Sequence, residues 1–384
     1  MQKLRSSLRP AGLLILTSLV CCLLFYIGGA ILSPDLGSPP PTADPDDLTR
    51  VRQLRELTYN QDDKPIIWQD VDYSAGSAAA WYPKGEAPVL AELVAAGELP
   101  PVTERVGPEP LVMRGCDGNG SYGGTWYRIA SNPGDTGVMG WRLSGACLVR
   151  WSPMGHPIVP HVAKSFEVSD DKRIYTFHLR EGMRWSDGHP FTTADIRFWW
   201  EHDILNIADE ENPGRAPDWM RIGDAEGTME FIDDLTFRYV FPEPHGLFLE
   251  LLSKQHTFAL PKHYLEQYHP FVGDPALIAA EAERLEMDAT KPKVLYNHLK
   301  RHDNPHCPRH WAWIYRTESA NPPYVWVRNP YFFAVDTAGN QLPYIDQIQF
   351  SVKQPKLISS AVSQGEVGMQ RRHIKYQDYT LLMN

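Results

Sequence analysis

Five side chains able to bind a metal are crowded into one stretch: His298, His302, His306, Cys307 and His310. On a helix, His298 and His302 would stand four apart on one face, the spacing at which two imidazoles can share a Zn²⁺. Pro305 and Pro308 break any helix through the other three, because proline removes a backbone donor and clashes with the preceding turn. No carboxylate stands at a spacing suited to a general base, and neither H-E-x-x-H nor G-x-S-x-G occurs. An exported metal-dependent hydrolase using the His298–His310 cluster is therefore the alternative reading. A solvated polar loop without a metal is the simpler one.

Two other groups invite a chemical reading. Gly118, Gly120 and Gly123 fit the dinucleotide fingerprint G-x-G-x-x-G, whose physics requires a helix N-terminus directly afterwards to receive the pyrophosphate. Residues 125–129, with Trp126 and Tyr127, read instead as a strand, so no nucleotide and no other cofactor is expected. Asp187, His189 and Asp195 lie close together within 169–201, but Ser186-Asp187-Gly188 is a turn sequence and Thr192 with Asp195 has capping-box spacing. Their polar atoms are expected to shape the chain.

The elements that would position such groups follow from periodicity. Tyr175, Phe177 and Leu179 alternate with Thr176, His178 and Arg180, the pattern of a half-buried strand. Met183 and Trp185, between two turn signals, read as a short second strand, and Ile196, Trp200 and Ile204 as the apolar face of the capped helix. Trp185, Trp200 and Trp199 are expected in the core. A second hairpin turns at Asp233-Asp234, helices are predicted over 246–254, 261–269 and 275–287, and 87–102 has a helical period that stops at Gly97 and Pro100. Ile345, Ile348 and Phe350 lead a further strand.

A chain of 384 residues predicts two compact units, or one lobe with a large insertion. A net charge of -10 without a basic cluster argues against a nucleic-acid partner. Residues 11–32 carry no charge and follow Lys3, Arg5 and Arg9, so export with a cytoplasmic N-terminus is expected, either as a cleaved signal or as an uncleaved anchor. The Pro- and Asp-rich segment 33–47 reads as an extended tether, and 48–57 as a short amphipathic helix. Cys116 and Cys147 are the nearest pair for a disulfide, and free buried thiols are the other possibility.

The run 169–201 resembles the signature of the family 5 extracellular solute-binding proteins of ABC transporters, which include peptide, nickel and oligosaccharide binders. The resemblance continues in 121–129, SYGGTWYRI, in Arg328-Asn329-Pro330-Tyr331, in 335–346, VDTAGNQLPYID, and in Gly365-Glu366-Val367-Gly368. The last is similar to a Gly-Glu-Val-Asp near the family's hinge, with Gly368 in place of the acidic residue. The resemblance implies an α/β fold: a periplasmic-binding-protein-like first lobe with an inserted α+β subdomain, the second lobe absent and the chain apparently truncated before it. The implied organisation is a signal or anchor at 1–32, a linker at 33–47 and a leader at 48–109. The first lobe follows at 110–154, the insertion at 155–310, and the lobe's return at 311–384. The implied function is that of an exported, non-enzymatic receptor of the periplasm or cell surface. It would capture a peptide or oligosaccharide for ABC permease subunits, with the membrane contacted through the N-terminal segment. Tyr122, Trp126, Trp141 and Trp151 are candidate ligand-stacking residues, since aromatic faces suit sugars and peptides.

Overall fold

The computed structural model describes residues 71–384 apart from 115–117, 153–154, 318–321 and 384, and also places Leu23. The segments 11–32, 33–47 and 48–57 therefore lie outside the described residues, Leu23 excepted. Among the described residues no helix is long and apolar enough to cross a membrane.

The alternation at 174–179 is realised as the strand Ile174–Leu179, in which Tyr175, Phe177 and Leu179 are buried. It is the second strand of a four-stranded antiparallel sheet, in the order Ala163–Val168, Ile174–Leu179, Thr236–Val240, Thr228–Phe231. The hairpin at Asp233-Asp234 places Phe237 opposite Phe231, and across the neighbouring strand pair Phe177 faces Phe237 and Tyr175 faces Tyr239. The Phe177 and Phe237 rings stack with centroids 5.6 Å apart, the cross-strand pairing that stabilises a sheet face.

The helix Thr193–Phe198 starts at the expected capping box: Thr192 accepts from the Ala194 N–H, and Asp195 accepts from the Thr192 N–H at 3.1 Å. Asp195 also accepts from the Lys262 N–H at 3.0 Å, which ties this cap to the next helical segment, Lys262–Leu265. Beyond Phe198 the helix widens into a π-turn, Trp199–Ile204, and the adjacent Trp199 and Trp200 are both buried. Met183 and Trp185 are buried but do not form a strand. Left-handed Gly182 and Gly188 bracket a short segment that closes as a tight loop, with one bridge between Arg184 and Pro190 and the Trp185 N–H donating to the His189 carbonyl at 2.8 Å in place of a strand ladder.

A second, mixed sheet runs Trp313–Tyr315, Tyr324–Arg328, Gln347–Val352, Thr125–Ala130, with only the last pair parallel. The fingerprint glycines thus lead into a strand, as the sequence predicted. The helix Pro133–Ser144 lies against this sheet at Gly140, where any Cβ would collide with the Trp326 indole.

Two fully buried arginines bind residues 73–109 to these sheets. Arg180 donates to the His161 carbonyl (3.0 Å), the Ala163 carbonyl (3.2 Å), the Glu109 carbonyl (3.2 Å) and the Tyr73 hydroxyl (2.9 Å). The Tyr73 hydroxyl in turn donates a hydrogen bond to the Pro110 carbonyl at 2.8 Å. Arg105 donates to the Pro100 carbonyl and to Gln341 Oε1, both at 2.9 Å, and also binds Glu86 and the Pro330 carbonyl. Arg180→Met would strand buried acceptors and is expected to cost roughly 3 kcal/mol, against roughly 1 kcal/mol for Tyr73→Phe. Urea unfolding of the two variants beside the parent chain measures both.

Candidate functional site

Residues 147–151 divide between interior and cavity, with Cys147 on the cavity wall. Leu148 and Val149 are fully buried, whereas the next two side chains, Arg150 and Trp151, line an open cavity of about 660 Å³. The strand Val149–Trp151 pairs antiparallel with Ile158–Pro160, so Trp151 stands opposite Ile158. Trp151 is 40% exposed and offers an indole face to the cavity. Trp313 and Tyr344 contribute further aromatic surface, and the Trp313 indole is fixed by donating to the Ile345 carbonyl at 3.0 Å.

The polar wall of the cavity is built from groups remote in sequence. The Cys147 sulfur lies 3.3 Å from His256 Nδ1, and His161 Nδ1 lies 3.2 Å from the Cys147 carbonyl. Burial pushes the Cys147 thiol up to about 12, against the opposing pull of Arg150. It is therefore neutral at pH 7 and a poor nucleophile. Burial, and then the Arg150 charge, hold His256 below its ordinary value; the same two causes place His161 well below it. Both imidazoles are hydrogen-bonding groups here, not cations. Cys147 is a free buried thiol, so the disulfide with Cys116 is not formed, and Cys116 itself lies outside the described residues.

Of the four aromatic residues singled out by sequence, Trp151 is on the cavity. Tyr122 is half-buried beside it, donating to the Gln341 carbonyl at 2.7 Å and meeting Tyr344 edge-on at 5.6 Å between centroids. Trp126 packs partly against the main core, with the Arg128 guanidinium 5.0 Å over its ring. Trp141 is described in its backbone alone, within the helix Pro133–Ser144. Sequence reasoning passed over Arg150, His256, Trp313 and Tyr344.

The histidine cluster does not converge. His298 ends the helix Pro292–Leu299, and the His302 ring occupies the space beside Gly137. Cys307 is buried, and His310 sits among Trp185, Phe191 and Phe258 with centroids 5.4, 5.5 and 5.2 Å away. Among the described residues no group of three His, Cys, Asp or Glu side chains is placed to hold a metal ion, and the hydrolase reading gains no support. Asp187, expected only to turn the chain, also pairs with His263 at 2.7 Å, and His189 stacks on that ring at 3.9 Å.

A family profile described as bacterial extracellular solute-binding proteins, family 5, matches residues 157–380. The periplasmic alpha-galactoside-binding protein of Rhizobium meliloti is 29% identical over 299 residues, covering 69% of this chain and 38% of that protein. The periplasmic oligopeptide-binding protein OppA of Escherichia coli is 30% identical over 128 residues, covering 30% of this chain and 22% of its own length. Among solved structures, an oligopeptide-binding protein OppA superposes with a TM-score of 0.70 at 36% identity, covering 81% of this chain and 49% of that one. The periplasmic binding protein MelB of Agrobacterium fabrum, solved with stachyose, shares the fold with a TM-score of 0.59 at 23% identity, covering 79% of this chain and 44% of that one. The α/β fold is thus that of periplasmic binding proteins. The chain spans well under half the length of these curated relatives, and about half that of the solved OppA.

Burial holds His310 down to about 3 from an ordinary 6.5, while its backbone contact with Ala146 pulls weakly the other way. The unfolded chain takes up this proton near pH 6.5 and the folded chain only near pH 3, so stability should fall as pH drops through that window. His310→Phe, which keeps the aromatic packing, is expected to lose roughly 2 kcal/mol less than the parent between about pH 7 and about pH 4.5. Urea midpoints at the two pH values test this.

Proposed function

We propose, on the premise that this chain belongs to the family 5 bacterial extracellular solute-binding proteins, that it is the exported solute-capturing component of an ABC importer. Members of the family bind solutes and are not enzymes, and in this proposal the chain performs no covalent chemistry. It takes up a peptide or an oligosaccharide and delivers it to permease subunits. The observation that carries the reading is the cavity beside 147–151: about 660 Å³, open to solvent, with aromatic faces and few convergent polar groups. The names of its relatives, an alpha-galactoside binder and an oligopeptide binder, support the two ligand classes.

In this reading residues 110–154 and 311–384 form the first lobe, 155–310 are its insertion, and 11–32 direct export to the periplasm or cell surface, as a signal or as an anchor. Of Tyr122, Trp126, Trp141 and Trp151, the last is the stacking platform on which the proposal rests most weight, with Trp313 beside it. A ligand that binds only the folded chain must raise its melting temperature. Purified chain should therefore be stabilised by at least one member of a panel of short peptides, raffinose and stachyose. Trp151→Ala should weaken that binding by about fivefold, the loss of roughly 1 kcal/mol of aromatic contact. Absence of stabilisation by every solute in the panel would sink the receptor reading in favour of a purely structural role.

A further inference from the structure

The stretch 298–310, whose histidines do not converge, walls a second cavity of about 460 Å³ that shares His256 with the first. Three segments meet there: 254–257 beyond the helix Phe248–Leu252, 297–302 at the end of the helix Pro292–Leu299, and 309–311. Leu260 and Trp311 supply its apolar surface, and the rest of the lining is polar or charged. Four cationic side chains, Lys254, Lys300, Arg301 and Arg309, stand there against one carboxylate, Asp203. Asp203 is taken by the Lys300 ammonium. Arg301 is taken by Asp303, which accepts from its Nε at 2.8 Å and its Nη2 at 2.7 Å. Lys254 and Arg309 remain, and among the described residues neither has a carboxylate partner.

Arg309 is the decisive group, for it is 9% exposed and its backbone is pinned. Its N–H donates to the Ser186 hydroxyl at 3.0 Å, and its carbonyl accepts from the Ser186 N–H at 2.9 Å and the Asn329 amide at 3.2 Å. Nη2 donates to the Lys300 carbonyl at 2.9 Å and to the Arg301 carbonyl, and the guanidinium carbon lies 5.3 Å over the Trp311 ring. Nε is buried and has no partner. In Arg180 and Arg105, by contrast, every guanidinium nitrogen meets an acceptor. A buried charged donor left unbonded is costly, and two carbonyl dipoles do not cancel its charge. Lys254, Thr257 and Asn297 bring further donors from the other two segments. Donors arriving from three sides are matched better by the oxygens of a tetrahedral phosphate than by the two coplanar oxygens of a carboxylate. The volume also leaves room for the remainder of an ester.

We propose that this second cavity binds a phosphate group, with Arg309 and Lys254 meeting its charge and Thr257 and Asn297 its remaining oxygens. The site is separate from the aromatic cavity around Trp151 and does not rest on the receptor reading. The phosphate is either the free ion or the ester of a larger solute, and both present the same oxygens to these donors.

Calorimetric titration of the full chain at about pH 7.5, where a phosphate carries close to two charges, tests it with inorganic phosphate, galactose 1-phosphate and neutral galactose. At least one of the two phosphates should bind saturably with a Kd of about 1 mM or below, and the tighter of them names the source. Lys254→Ala should weaken that binding about tenfold or more, the range of a charge-assisted hydrogen bond. Lys254→Arg should restore most of it, and Lys84→Ala, which removes an equal charge from a residue outside the cavity wall, should leave it unchanged. Arg309→Gln should abolish binding. If that variant does not fold, Lys254→Ala decides, since Lys254 is exposed and holds no other element in place. Sodium chloride at matched ionic strength should give no saturable heat. Failure of both phosphates to bind, an equal response to chloride, or binding that survives Lys254→Ala would overturn the inference and leave the receptor reading standing. So would galactose binding as tightly as its phosphate ester while inorganic phosphate does not bind, which would assign the heat to the aromatic cavity.

Discussion

A guanidinium buried without a carboxylate is the constraint on which much of this structure turns. Arg180 directly follows the sequence's most strongly patterned strand and is compensated by three carbonyl dipoles and a phenol. Moving an unpaired charge out of water is expensive, so each of those acceptors must be held in place. They come from two separate places, Tyr73 and Glu109 from the residues ahead of the sheets and His161 and Ala163 from the start of the antiparallel sheet, while Arg180 follows that sheet's second strand. Residues 73–109 are thereby made part of the fold. His161 extends the same network to the cavity, since its carbonyl serves Arg180 while its ring meets the Cys147 carbonyl and packs edge-on against Phe333.

What could be read from sequence is what is decided locally. The 174–179 alternation and the Thr192–Asp195 box are legible because a strand face and a helix cap each depend on residues within a few positions of one another. The expected strand at Met183–Trp185 failed for a reason that is also local: the left-handed glycines on either side leave room for a single bridge and not for a ladder. The π-turn at Trp199–Ile204 answers a tertiary demand, since in it two successive indoles are buried on a helix whose ideal period would separate them. The histidine cluster misled because residue type and spacing were visible while the destination of each side chain was not. His310 points into an aromatic core and His302 against a helix glycine.

The candidate site was legible in one residue out of several. Trp151 could be named because an aromatic beside polar residues at a strand end is conspicuous, but its neighbours arrive from far away: His256 is brought to Cys147 across more than a hundred positions, and Trp313 and Tyr344 come from the far side of the insertion. No periodicity encodes such meetings. Charge pattern does not encode them either, for the chain as a whole is acidic while Arg114, Arg142 and Arg150 all stand among the described residues that line this cavity.

The stretch around Gly368 shows how a departure from the family pattern is absorbed. Where relatives are expected to carry an acidic side chain, this chain has a glycine whose N–H donates to the Tyr127 carbonyl at 3.3 Å, on the outer edge of the mixed sheet. Two residues later Gln370 uses its amide as a strand would use a peptide group, donating to the Ile129 carbonyl at 2.9 Å and accepting from its N–H at 3.3 Å. An open sheet edge invites non-native pairing, and this segment covers it. The negative charge that Gly368 lacks is present nearby on Asp135, which receives Arg372 at 2.5 Å and His373 at 2.6 Å. Burial alone would raise that carboxyl, but the Ser131 N–H, His373 and Arg372 together hold it below the ordinary carboxylate value, so it stays ionised. Residues 368–370 are thus anchored by bonds to the sheet edge and 372–373 by a carboxylate of the helix Pro133–Ser144, away from the position where the sequence pattern would have placed one.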